Sequence, residues 1–183
     1  MRLTDLDILI VPGWTNSGLE HWQSRWQGRM PMARRVDLGD WEHPVRAVWV
    51  AALVAAVETA DKPVLLVAHS LGNLAVAHAA PLFPEGKMAG AFLVAVPDLE
   101  QEQRPPEIDP AFVPIPMAPL PFPSVVVHSN SGPYCKVERA LAFAAAWGSE
   151  TADAGDAGHI NAASGHGPWP EGLMRLGGFL KTL

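Results

Sequence analysis

Four stretches of the chain are unbroken apolar runs rather than alternations of apolar and polar residues. They are Asp7 to Val11 (DILIV), Val64 to His69 (VLLVAH), Gly90 to Val96 (GAFLVAV) and Ser124 to His128 (SVVVH). Runs of this kind predict strands buried on both faces, the habit of a parallel sheet. Ala33 to Leu38 and the weaker Glu150 to Asp153 bring the expected count to about six strands. Between them the spacing of apolar positions predicts helices over His21 to Arg29, Pro44 to Ala60, Leu71 to Ala80, Lys136 to Trp147 and Glu171 to Leu183. Pro44 stands where a first helical residue would lack an N–H partner anyway. Strands alternating with helices, joined by right-handed crossovers, give an α/β fold: a doubly wound, mainly parallel sheet with helices on both faces.

One segment breaks the alternation. Between Asp98 and Pro123 lie Pro105, Pro106, Pro110, Pro114, Pro116, Pro119, Pro121 and Pro123, which exclude helix or central strand over most of it. We expect a stiff surface excursion that either roofs the site or merely connects two strands.

A chain of 183 residues is expected to form one domain over residues 1–183, long enough to bury a large core. No stretch is long and uniform enough to cross a bilayer. Asp5 and Asp7 sit where a signal peptide would carry a basic flank and an apolar centre, so a cytoplasmic location is expected. The formal charge of −6 argues against nucleic acid as a partner, and the Arg34-Arg35 pair reads as a solvated turn. The single cysteine, Cys135, excludes an internal disulfide or a multi-cysteine zinc site. The seven histidines form no H-x-x-x-H pair, so neither a metal nor any other cofactor is expected. The oligomeric state is not legible.

In doubly wound sheets ligands bind beyond the carboxyl ends of the strands, and one such end is distinctive. Val64 to Asn73 reads strand, serine, helix, and departs from G-x-S-x-G only in having Ala68 at the first small position. A tight turn there would lift the Ser70 hydroxyl above the sheet, with small residues needed two before and two after it. A serine hydroxyl needs a base. His159, on a glycine-flanked loop before the last helix, is the favoured candidate and His166 its rival. His69 should point away from the serine, and His21, His43, His78 and His128 read as structural. The oxyanion-hole donors are expected from the backbone N–H groups of Leu71 and Trp14.

The motifs Pro12-Gly13-Trp14 with Trp22 and Trp26, Ala68-His69-Ser70-Leu71-Gly72, Pro133-Tyr134-Cys135, Gly158 to Ala162 and Trp169-Pro170-Glu171-Gly172 span nearly the whole chain. In this order they resemble the small serine hydrolases similar to retinoblastoma-binding protein nine and the bacterial YdeN-like proteins. The resemblance implies a minimal α/β-hydrolase and a Ser-His-Asp triad in which Ser70 and His159 hold the matching positions. It also places the triad acid immediately before the Pro-Tyr-Cys stretch, where this chain has Gly132. Asp98, at the end of the strand after the nucleophile helix, is a candidate substitute acid. Asp153 and Asp156 read as turn residues.

The expected activity is hydrolysis of small esters or amides through an acyl-enzyme on Ser70, slowed by Gly132. The alternative is a degenerate hydrolase that serves as a binding module. A nucleotide-binding domain is disfavoured, since the chain has neither G-x-G-x-x-G nor a P-loop lysine.

Overall fold

The computed structural model describes residues 1–100 and 104–183; Gln101 to Gln103, part of the proline-rich segment, lie outside the described residues. The described residues form one six-stranded sheet, every pairing parallel, in the order β2-β1-β3-β4-β5-β6. The strands are β1 (Asp7–Val11), β2 (Ala33–Arg35), β3 (Val64–His69), β4 (Met88–Val94), β5 (Ser124–His128) and β6 (Glu150–Asp153). The helices are α1 (Trp22–Gln27), α2 (Arg46–Glu58), α3 (Leu71–Ala79), α4 (Val137–Trp147) and α5 (Pro170–Phe179).

Side chains alternate across this sheet into two cores. Leu9, Val11, Leu66, Ala68, Leu93 and Val126 pack against α2, α3 and α4. Ile8, Ile10, Leu65, Val67, Phe92 and Val127 pack against α1 and α5, with Trp22, Trp26 and Trp169 as the large members. Burial on both faces is why these strands carry no polar stripe. The strand order reverses at β1, so the crevice of the fold lies at the carboxyl ends of β1 and β3. Those ends carry Gly13 and Ser70.

Several expected bounds need correction: the fourth strand runs Met88–Val94 and not Gly90 to Val96, and the last helix stops at Phe179. The second strand ends at Arg35, short of Leu38, because it pairs with β1 alone, over three residues. The helix expected from Pro44 starts at Arg46. Its first N–H donates to Asp109 Oδ2 at 3.0 Å, a tertiary cap that local sequence cannot reveal. The proline-rich segment is more than a surface excursion: Ile108, Phe112, Ile115 and Phe122 are buried in the core of the α2–α4 face, and Trp147 Nε1 donates to the Pro116 carbonyl at 2.7 Å.

Candidate active site

Ser70 joins β3 to α3 with φ 51° and ψ −129°, a conformation that a non-glycine residue holds only when its surroundings enforce it. The enforcement comes from two glycines. A Cβ on Gly72 would lie 2.5 Å from the carbonyl oxygens of Val11 and Pro12, and a Cβ on Gly13 would lie 2.8 Å from Ser70 Cβ. The ends of β1 and β3 are therefore packed backbone to backbone, and the serine is pushed out of the sheet. Of the six non-glycine residues at positive φ among the described residues, Thr15, Asn16, Ser70 and Ala95 line the cavities beside this point, and Ile160 follows His159. Strain so concentrated makes this point a candidate functional site.

His159 Nε2 lies 2.9 Å from Ser70 Oγ. The loop that carries it is held from three sides. His69 Nε2 donates to the His159 carbonyl at 2.9 Å. Ser129 Oγ accepts from the Ala157 N–H at 2.9 Å and Ser131 Oγ from the Gly158 N–H at 3.0 Å. On either side of His159, Gly158 and Ile160 both adopt positive φ. His166, the rival base, is elsewhere, 3.1 Å from Ser164 Oγ through its Nδ1.

The Trp14 and Leu71 N–H groups have no acceptor among the described residues. A Cβ on Gly13 would lie 3.1 Å from the Leu71 nitrogen, so the loop that leads into Trp14 runs beside the start of α3. An oxyanion hole requires two such donors aimed at one point.

These groups open on a cavity of about 280 Å³. Thr15, Asn16, His21, His69 and Asn161 give it a polar side; Leu71, Pro97, Leu99, Pro105 and Ile108 give it an apolar one. Two of the histidines read as structural or turned away are thus part of its wall. His21 Nδ1 accepts from the Gln23 N–H, and its ring packs 4.7 Å from that of His69. Burial, then neighbouring His69, His159 and Arg35, pushes His21 down to about 2. Burial lowers His69 to about 4, and burial followed by His69 lowers His159 to about 3. All three rings are neutral at neutral pH, so the wall carries no cation from them.

Among the described residues no carboxylate is hydrogen-bonded to the His159 ring. Asp98 borders the cavity beside Ser70, but its oxygens are taken by Arg139, at 2.8 Å from Nε and 3.3 Å from Nη2. Asp153 accepts from the Gly155 N–H and from Asn130. Gly132 does reach the histidine's surroundings: it lines a second cavity together with His128, Ser129, Tyr134 and His159. The grip of Ser129 and Ser131 on the histidine loop has no signal in the sequence analysis.

The serine hydrolase family profile matches residues 8–178. A YdeN-like hydrolase of Pectobacterium atrosepticum is 36% identical, with 98% of this chain and 92% of that one covered and a TM-score of 0.84. The ydeN gene product of B. subtilis shares the fold at 17% identity, with 95% and 98% covered and a TM-score of 0.73. So does Est1E from Butyrivibrio proteoclasticus, at 15% identity, 84% and 79% coverage and a TM-score of 0.63. No curated protein matches the chain.

Proposed function

The chain belongs to the serine hydrolase family, and from that premise we propose that it cleaves small, uncharged esters or amides through an acyl-enzyme on Ser70. The observation that carries the reading is the 2.9 Å approach of His159 Nε2 to the hydroxyl of a serine held at φ 51°. With the ring proton on Nδ1, Nε2 accepts the hydroxyl proton as Oγ attacks the substrate carbonyl carbon. The carbonyl oxygen takes the negative charge and receives the Trp14 and Leu71 N–H groups. Collapse breaks the bond to the leaving alcohol or amine, which departs with the proton from Nε2. Water then repeats the sequence on the acyl group, restoring Ser70 and releasing an acid.

The uncharged substrate class follows from the wall. Its histidines are neutral, and Asp98 is already paired with Arg139. A cavity of about 280 Å³ suits a short acyl chain against Leu99, Pro105 and Ile108.

A second reading, a binding module on a hydrolase scaffold, is favoured by one observation: the His159 ring has no carboxylate partner among the described residues. A triad acid orients the imidazole and stabilises the imidazolium, and its loss slows turnover without abolishing it. The experiment that separates the readings is reaction with a fluorophosphonate, read by intact mass, alongside p-nitrophenyl acetate turnover. An enzyme labels once, and Ser70→Ala prevents both labelling and turnover. Absence of both in the wild type supports the binding module.

A further inference from the structure

The second cavity, of about 20 Å³, is lined by Gly132, His128, Tyr134 and His159 but not by Ser70. The volume exceeds the 10–15 Å³ or so that one water needs, so it admits only a very small ligand. Nε2 of His159 is committed to Ser70, so Nδ1 is the ring nitrogen left for this side. The walls offer further donors. His128, more than nine-tenths buried, has an Nδ1 with no hydrogen-bond partner among the described residues. The backbone N–H groups of Gly132 and Tyr134 have no acceptor among the described residues. The cavity does not depend on an acid for its shape, because Ser129, Ser131 and His69 together hold the histidine loop.

We infer that this cavity is a binding site for a small monocarboxylate of formate size, which completes the catalytic group in trans by accepting the Nδ1–H of His159. The inference rests on the serine-hydrolase reading above. The chemistry selects the ligand. When His159 takes the Ser70 proton the ring becomes a buried cation, and a carboxylate at Nδ1 is the partner that stabilises it. Size selects it further. At the Gly132 Cβ position the carbonyl oxygens of Cys135 and Ser129 stand at 3.3 and 3.5 Å. A bonded methylene enters that spot once the Cys135 carbonyl gives by a few tenths of an ångström, whereas the methyl of a free acetate needs more distance from Cα than a covalent bond does. Formate therefore ranks above acetate, and acetate above propionate.

The test measures p-nitrophenyl acetate hydrolysis by the wild-type protein in rising formate, with chloride holding ionic strength constant. The expected result is a saturable increase in kcat of about tenfold, a fraction of what a tethered acid supplies, declining from formate to acetate to propionate. The Nδ1 proton resonance of His159 should move downfield with formate and not with chloride, a readout that requires no variant. Gly132→Asp should have a high rate in plain buffer and no formate response. Stimulation that persists in Ser70→Ala is direct buffer catalysis and overturns the inference. So does a wild-type enzyme that turns over but responds in neither rate nor resonance, and that outcome leaves the serine-hydrolase reading intact. A wild type and a Gly132→Asp variant that neither turn over nor label at Ser70 reject that reading and this inference together.

Discussion

Asp98 and Arg139 form a forked ion pair, with Oδ2 2.8 Å from Nε and Oδ1 3.3 Å from Nη2, and the same guanidinium reaches Glu100 at 2.8 Å. Hydrogen bonding to Asp98, more than its charge, raises Arg139 above its ordinary value. The pair ties the end of β4 to α4 and takes the Asp98 carboxylate away from His159. Asp98→Asn should therefore cost stability, about 2–4 kcal/mol, somewhat below a fully buried pair because Arg139 is partly exposed. It should change kcat of the folded protein by less than about threefold, since the triad acid's roughly ten-thousandfold effect would not be in play. Urea denaturation and initial rates check the two halves separately. A crippled kcat with stability unchanged would return Asp98 to the role of substitute acid.

Gly13→Ala should act on the nucleophile without touching it. The added methyl meets Ser70 Cβ at 2.8 Å and the His69 carbonyl oxygen at 3.0 Å, so Ser70 must shift. A displacement of this order costs about a hundredfold in rate, read as kcat and as the rate of fluorophosphonate labelling.

His159→Ala should remove nearly all esterase activity, whereas His166→Ala should keep most of it. The pH profile of kcat/KM in the wild type carries the sign of the burial effect. The base must be neutral to accept the serine proton, and burial has lowered His159 to about 3. The rate should thus hold as pH falls from about 8 to about 5, where an ordinary histidine at about 6.5 would already be lost.

Gly132→Asp should raise kcat by about a hundredfold, allowing for imperfect geometry against the roughly four powers of ten a triad acid supplies. Gly132 is not among the glycines at positive φ, so an aspartate there needs no strained backbone. A carboxylate beside His159 also favours the imidazolium. The acid limb of kcat/KM should therefore move to higher pH in the variant. An unchanged limb with an unchanged rate would mean that position 132 does not face the base.

Stability should fall with acid through the three neutral rings. His21, His69 and His159 sit at about 2, 4 and 3 in the folded protein and titrate near 6.5 when unfolded. Below about pH 6.5 the unfolded chain takes up protons that the folded one refuses, at a cost on the order of 1 kcal/mol per histidine per pH unit until each folded value is reached. His21→Asn keeps an acceptor for the Gln23 N–H and should reduce the slope of unfolding free energy against pH by about one proton between pH 5 and 6, roughly.

How much of this was legible depends on the range of the physical cause. Strands β1, β3, β5 and β6 begin and end as the sequence predicts, because burial on both faces leaves an unbroken apolar run and the turns that follow are local. The Ser70 turn is written in Ala68, Gly72 and Gly13 for the same reason: small residues stand where backbones must touch. Both His159 and His166 follow the serine and stand beside glycines, so that His159 and not His166 approaches Ser70 is a tertiary fact. Tertiary structure alone decided the rest. That α2 starts at Arg46 depends on Asp109, and that Asp98 is unavailable depends on Arg139, each far away in sequence. His21 and His69 became part of the site because α1 packs across the end of β3, which no spacing within either segment encodes. Position 132 reads as a missing acid in sequence, and becomes a cavity against His159 only when Ser129 and Ser131 dock the two loops. Apolar period and small-residue placement act over a few residues and survive in a linear reading. Ion pairs, caps and cavities join groups whose proximity exists only after the chain has closed.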